Sequence, residues 1–145
     1  MTPPDPRRTP APSELCTRIV SERDATTATL RARRFAREIG FDVINEMAIA
    51  TAVSELVTNV VRYGGADGGT ATFSQITRLG RRGMQAVVQD RGPGIEDLDA
   101  AMRDHVSSRK SLGLGLPSIQ RMMDEFVMVS EVGVGTTATI RQWLR

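Results

Sequence analysis

Thr51–Tyr63 reads TAVSELVTNVVRY, and its spacing decides how the rest of the chain is arranged. At roughly 100° per helical residue, Ile49, Val53, Leu56 and Val60 fall on one apolar stripe. Glu55 and Asn59, at i and i+4, share a second stripe on its flank, with Arg62 stacked near them. A carboxylate and an amide on the shoulder of a buried face project into a cleft beside the core. Glu can take a proton or orient a nucleophile, and Asn offers an uncharged oxygen to a hard cation such as Mg²⁺. Taken alone, the pair reads more simply as a solvated pair on an ordinary amphipathic helix.

Working outward toward the N-terminus, Asp42 caps this helix, and Gly64–Gly65 stops it at the other end. Before it, Asp24 is placed to cap a helix running to Ile39, with Ala28, Ala32, Phe35, Ala36 and Ile39 on its buried side and Gly40 just past its end. Leu15–Val20 is a short run with β-branched members and reads as a first strand. Residues 1–12 are proline-rich with few apolar groups, which predicts a disordered tail ahead of a single domain over 13–145.

Toward the C-terminus, Thr70–Leu79 and Met84–Asp90 are strands joined by a Gly80–Gly83 turn. Met84, Ala86, Val88 and Asp90 share one face of the second strand. Asp90 therefore ends that strand on its apolar side, where an unpaired carboxylate is costly and wants a donor such as a ligand amine. A short acidic helix is expected over Asp97–Asp104. His105–Leu112, HVSSRKSL, is polar and weakly periodic, a mobile loop or lid. Pro117 fits the first turn of a last helix, with Leu116, Ile119, Met122 and Met123 inward. Strands Phe126–Ser130 and Thr136–Trp143 follow around the turn Glu131–Gly135. The sum is an α+β two-layer sandwich, with a mixed, mostly antiparallel sheet and helices on one face.

Composition removes several classes of function. With 145 residues and 40% hydrophobic content, the chain suits one domain with a real core. No apolar run is long enough to cross a bilayer, and MTPPDPRRTPAP has no signal-peptide core, so a cytoplasmic location is expected. Cys16, the single cysteine, excludes an internal disulfide and a Cys-based zinc site; in its apolar run it reads as a small core residue. His105 is the only histidine, which speaks against a Ser–His triad or a multi-His metal site. Net charge is +2 and aromatic content 4%, so nothing favours nucleic acid. Arg31, Arg33, Arg34 and Arg37 cluster on one helix, more simply as a solvated face than as a phosphate patch.

Three glycine clusters follow the Glu55/Asn59 helix. In Asp90-Arg-Gly92-Pro-Gly94-Ile95, the glycines let backbone approach a flat ligand while Asp90 accepts from an exocyclic amine. The second, Gly113-Leu114-Gly115-Leu116, opens into a helix whose backbone N–H groups suit an anion; it is neither a Walker A motif nor a dinucleotide fingerprint. The third, Gly133-Val-Gly135-Thr136-Thr137, reads as a hairpin turn. Each alone is weak, and each is also a plain turn.

Together they say more. A helix with ExxxN, a strand ending in DxGxG, a polar lid, GLGL before a helix and GxGT in a final hairpin resemble the GHKL, or Bergerat-fold, ATP-binding domain over Leu15–Leu144. The resemblance implies ATP and Mg²⁺ as cofactors. It implies that Glu55 acts as base or orients the nucleophile, that Asn59 ligates Mg²⁺, and that Asp90 receives the adenine amine. By the same resemblance Gly92, Gly94, Ile95, Gly113, Leu114, Gly115 and Leu116 shape the adenine pocket and lid, and Thr136 or Thr137 helps hold adenine. Arg62, Arg109 and Lys110 are the cations expected near the triphosphate.

Within that superfamily, a histidine kinase needs a phosphoacceptor-histidine helix, and topoisomerases and chaperones need large coupled domains. A bare domain of this length looks like the bacterial anti-sigma-factor serine/threonine kinases. AVSELVTNVVRYGG and MDEFVMVSEVGVGTTATIRQWLR look most like their stressosome switch-kinase branch, the RsbT type. That resemblance implies phosphorylation of serine or threonine on STAS-domain antagonist or scaffold proteins, and activation of a PP2C-type phosphatase after release. A sigma factor is the lesser partner, since Arg62 stands where sigma-binding relatives often carry histidine. Ser111-Leu112 stands where many relatives have further lid glycines. The alternatives are an anti-sigma factor that mainly binds a sigma subunit, and a catalytically weak nucleotide-binding regulator.

Overall fold

The computed structural model describes residues 14–103 and 115–145. The tail expected over 1–12 and the polar stretch His105–Leu112 lie outside them. The chain runs β1 (Glu14–Ile19), α1 (Glu22–Ile39), α2 (Val43–Tyr63), β2 (Gly69–Arg78), β3 (Arg81–Asp90), α3 (Leu98–Ala101), α4 (Leu116–Met122), β4 (Glu125–Glu131) and β5 (Gly135–Trp143). The strands form one sheet in the order β1-β2-β3-β5-β4, and every pairing is antiparallel. The α+β sandwich read from the sequence is therefore the observed architecture, with a sheet antiparallel at every described pairing rather than mixed.

The helices share one face of the sheet. Ala28, Ala32, Phe35 and Ala36 of α1 are buried over β1 and β2, where the Phe35 and Phe73 rings meet at 6.2 Å between centroids. Alanines on that stripe let α1 lie close to α2, and Ile49, Ala52, Val53, Leu56, Val57 and Val60 carry the core on over β3 and β5. Inward-facing Met84, Ala86 and Val88 of β3 and Ala138 and Ile140 of β5 complete it from the sheet side.

Local chemistry explains the boundaries and corrects three expectations. Ser21, not Asp24, is the N-cap of α1. The Ser21 hydroxyl accepts from the Asp24 amide while the Asp24 carboxylate accepts from the Ser21 and Val20 amides, a capping box. Cys16 is exposed, because the pleat of β1 turns Thr17 and Ile19 inward instead. The β2–β3 turn is shorter than Gly80–Gly83. It is the pair Leu79-Gly80, both at positive φ (51° and 79°), so β3 begins at Arg81 opposite Arg78. The acidic helix starts as expected, with Asp97 as its cap accepting from the Ala100 amide, and its helical residues are Leu98–Ala101.

The arginine cluster of α1 is also more than a solvated face. Glu46 on α2 is 2% exposed, and Arg33 and Arg37 each reach it at 2.7 Å. Arg37's hydrogen bonds, and then Arg33's, hold the Glu46 carboxyl down to about 2, and the same carboxylate raises the Arg37 guanidinium. Beside this clamp the Gln142 amide donates to Asn45 Oδ1, and its Oε1 accepts from the Asp124 amide, tying α2 to β5 and to the α4–β4 junction.

Candidate functional site

At the opposite end of α2 the layers part around a cavity of about 450 Å³. The helix contributes Leu56, Asn59, Val60, Arg62 and Tyr63, and the sheet contributes Val88, Asp90, Met128, Thr136 and Ala138. Gly65 and the loop Pro93-Gly94-Ile95 close the rim. The lining is mostly apolar with a few polar groups among it, which is the usual make-up of a small-molecule site.

Asp90 stands where period-two counting along β3 puts it, at the end of the inward face. Its Oδ1 accepts from the Gly92 amide at 2.9 Å and from the Thr136 amide at 3.3 Å. Its Oδ2 has no partner among the described residues, so a carboxylate braced by backbone keeps one oxygen for a donor. Register explains the second bond, since Asp90 is opposite Thr136 in the β3–β5 ladder. The loop after Asp90 is held by close backbone contact. Gly92 lies on the main chain of Gly64, and Gly94 (φ 79°) lies so near Glu131 and Val132 that a Cβ would come within 2.8 Å of the Glu131 carbonyl carbon.

The structure brings together Asn59, Arg62, Asp90, Gly94, Ile95 and Thr136 at one cavity. Thr137 is turned the other way by strand alternation, into a surface hollow with Gln89 and Val129. Gly92 shapes the loop from behind. Leu116 is fully buried in the core rather than on the cavity wall. Glu55 is half-buried and lies one helical turn before Asn59, beside the start of α4. Gly115 caps that helix at φ 62°, and a side chain on it would run into the Glu55 carboxylate. Arg109, Lys110, Gly113 and Leu114 lie outside the described residues.

Several cavity residues carry no motif signal. Tyr63 and Pro93 are chain neighbours of the motif residues, Val88 is the strand-mate already counted on Asp90's face of β3, and alternation along β4 would have found Met128. Ser130, whose hydroxyl meets Thr136 Oγ1 at 2.8 Å, follows Met128 on the inward phase of β4, but alternation alone does not mark it as part of a site.

The donor set suits Mg²⁺ carried by a polyphosphate. Such an ion keeps most of its shell from phosphate and water and takes only one or two protein oxygens. The Asn59 amide is such a donor, and no group of three or more His, Cys, Asp or Glu side chains able to hold a metal occurs among the described residues. Nor is any helix among those residues long and apolar enough to cross a membrane.

The family model described as histidine kinase-like ATPase domain matches residues 19–142. Among curated proteins, the chain is 38% identical over 130 residues to the serine/threonine-protein kinase RsbT of Bacillus subtilis (strain 168), covering 90% of this chain and 96% of that one. It is 30% identical over 99 residues to the anti-sigma F factor of Shouchella clausii (strain KSM-K16), covering 66% and 68% respectively. A solved structure of RsbU and RsbW domains from Mycobacterium tuberculosis superposes with a TM-score of 0.64 at 23% identity, over 91% of this chain and 33% of that longer one. That last likeness concerns the fold alone.

Proposed function

This chain belongs to the histidine kinase-like ATPase domain family, as a serine/threonine-protein kinase within it, and from that premise we propose its substrates and the work of each residue. Residues 13–145 act as one kinase domain in the cytoplasm. It transfers the γ-phosphoryl group of ATP to a serine or threonine on a STAS-domain partner of a bacterial partner-switching pathway. Once released from that partner, it binds and activates a PP2C-type phosphatase. The observation that carries this reading is the shared cavity: Asp90 from the sheet and Asn59 from the helix line one apolar space of about 450 Å³.

In this reading Asp90 Oδ2 accepts from the adenine amine, and Val88, Ile95, Met128 and Ala138 enclose the ring. A purine lacking that amine would strand the carboxylate, which sets the preference for adenine. Asn59 would hold Mg²⁺, which when bound neutralises charge on the phosphates. Arg62, at the rim, adds a cation beside the triphosphate, and Arg109 and Lys110 are assigned the same task. Glu55 takes or orients the proton of the partner hydroxyl. That oxygen bonds to the γ-phosphorus as the bond to the β–γ bridging oxygen breaks, and ADP leaves.

The test is incubation with γ-labelled ATP and the STAS proteins of the same host. Wild type labels a STAS serine or threonine. Glu55→Ala lowers the rate by about 100-fold or more while Mg-ATP binding is kept. Labelling at the wild-type rate by Glu55→Ala removes the catalytic assignment, and ATP binding without any labelling by wild type makes the protein a nucleotide-binding regulator. The similarity to anti-sigma F factors supports a second reading, capture of a sigma subunit. Recovery of sigma without STAS proteins in pull-downs from the host would favour it.

A further inference from the structure

Ser130 touches the groups that line the cavity without lining it. Its Oγ accepts from the Ile95 amide at 2.7 Å, meets Thr136 Oγ1 at 2.8 Å and lies 3.5 Å from the Gly135 carbonyl. A second tie joins the same segments, the Gly133 amide donating to the Pro93 carbonyl at 2.9 Å. The β4–β5 hairpin thus grips the loop after Asp90 at two points, and both Ile95 and Thr136 face the cavity.

Counting protons gives the network a direction. A serine hydroxyl has one hydrogen. With the Ile95 amide donating into Ser130 Oγ, that hydrogen has one acceptor at hydrogen-bond distance among the described residues, Thr136 Oγ1 at 2.8 Å, because 3.5 Å to the Gly135 carbonyl is too long for a good O–H···O bond. Thr136 Oγ1 then accepts from Ser130, and its own hydrogen is left to turn into the cavity. Thr136 becomes a donor on the cavity wall it shares with Asp90, whose carboxylate only accepts.

The geometry points to Ser130 as a positioning residue for the base, an inference that rests on the ATP-site reading above. Its hydroxyl sets Thr136 as a donor and pins Ile95 against the ring. An acceptor next to a donor complements the amine and adjacent ring nitrogen of adenine, directly or through one water. Guanine carries a carbonyl oxygen where adenine has its amine, and would set it against the carboxylate.

The role predicts a split in kinetics. Ser130→Ala should raise KM and Kd for Mg-ATP about tenfold, leave kcat at saturating ATP within about twofold, and narrow the preference for ATP over GTP. Ser130→Thr, which keeps the hydroxyl on a strand, should restore both KM and preference. In a Thr136→Val background, Ser130→Ala should cost only about threefold more, because the shared bond is already gone. Should Ser130→Ala not fold, Ser130→Cys keeps the shape with a weaker donor and reads the same shift. Unchanged KM and base preference, or a full tenfold loss in the Thr136→Val background, overturns the role of Ser130 and leaves the ATP site standing. Failure of wild type to bind Mg-ATP overturns both.

Discussion

The two ends of α2 are finished in opposite ways. At its start the protein answers its own polar groups. Asp42 caps the helix, Asn45 takes the Gln142 amide, and Glu46 is clasped by Arg33 and Arg37. Around the adjoining strand ends, the Trp143 indole and then Arg78 hold the Glu125 carboxyl below its usual range, and the Arg78 guanidinium lies 4.7 Å over the Trp143 ring. At the other end of the same helix the layers separate, and Asp90 keeps Oδ2 without a partner among the described residues. A carboxylate held ready by two backbone amides but left half-answered fits a ligand donor better than it fits folding. One end of the helix serves stability, and the other is the end proposed for recognition.

That division is testable by substitutions that should each move one property and spare the other. The largest effect belongs to Asp90→Asn. Asparagine Oδ1 can keep both backbone bonds, but its NH₂ replaces Oδ2 and faces the ligand amine donor to donor. Mg-ATP affinity should fall by about 100-fold, equivalent to about 2.7 kcal/mol, while the nucleotide-free melting temperature stays close to wild type. Calorimetric titration and a melting curve check the two halves, and affinity within a factor of about two of wild type breaks the comparison at its open end.

At the closed end, Trp143→Phe removes the indole donor to Glu125 Oε2, a bond of 2.7 Å, and keeps an aromatic ring under Arg78. Stability should drop by about 1–2 kcal/mol in urea unfolding, with Mg-ATP affinity unchanged. A matching loss of affinity would mean that the two ends are coupled through the sheet.

How much of this could be read from residues alone follows the same division. The open end was legible, because its features are periodic or local. Counting Met84, Ala86, Val88 leads to Asp90, and the i, i+4 spacing leads from Glu55 to Asn59. The closed end was not. Whether Arg33 and Arg37 meet Glu46 depends on how α1 and α2 are offset when packed, which no pattern within either helix records. Cys16 failed for a related reason, since the short β1 run has apolar residues in both phases of the pleat and only the packed α1 decides which phase is buried. Ser21 and Asp24 are both good caps, and their reciprocal bonds, rather than their identity, assign the roles. Ser130 shares the inward phase of an edge strand with Phe126 and Met128, and only the hairpin register brings its hydroxyl to Thr136 and Ile95.

The smallest expected effect is the sharpest probe of the closed end. Glu46 has a folded-state pKa lowered from 4.5 to about 2 by Arg37 and Arg33. A lowered carboxylate pKa means that the unfolded chain binds the proton first. The contribution of this clamp is therefore fully present above the unfolded value of 4.5, and is lost as pH falls through the folded value of about 2. Glu46→Gln keeps an acceptor for one arginine and cannot titrate, so it should be modestly less stable than wild type at neutral pH. Melting temperatures followed from pH 5 down to 2 should converge for the two proteins, because acid removes from wild type what the substitution has already removed. Asp24, Asp42 and Glu125 also have lowered pKa values, but they titrate in both proteins and cancel in the difference. Parallel curves across that window would mean that the Glu46 charge adds nothing beyond its hydrogen bonds, and the closed end would then be held by packing rather than by its ion pairs.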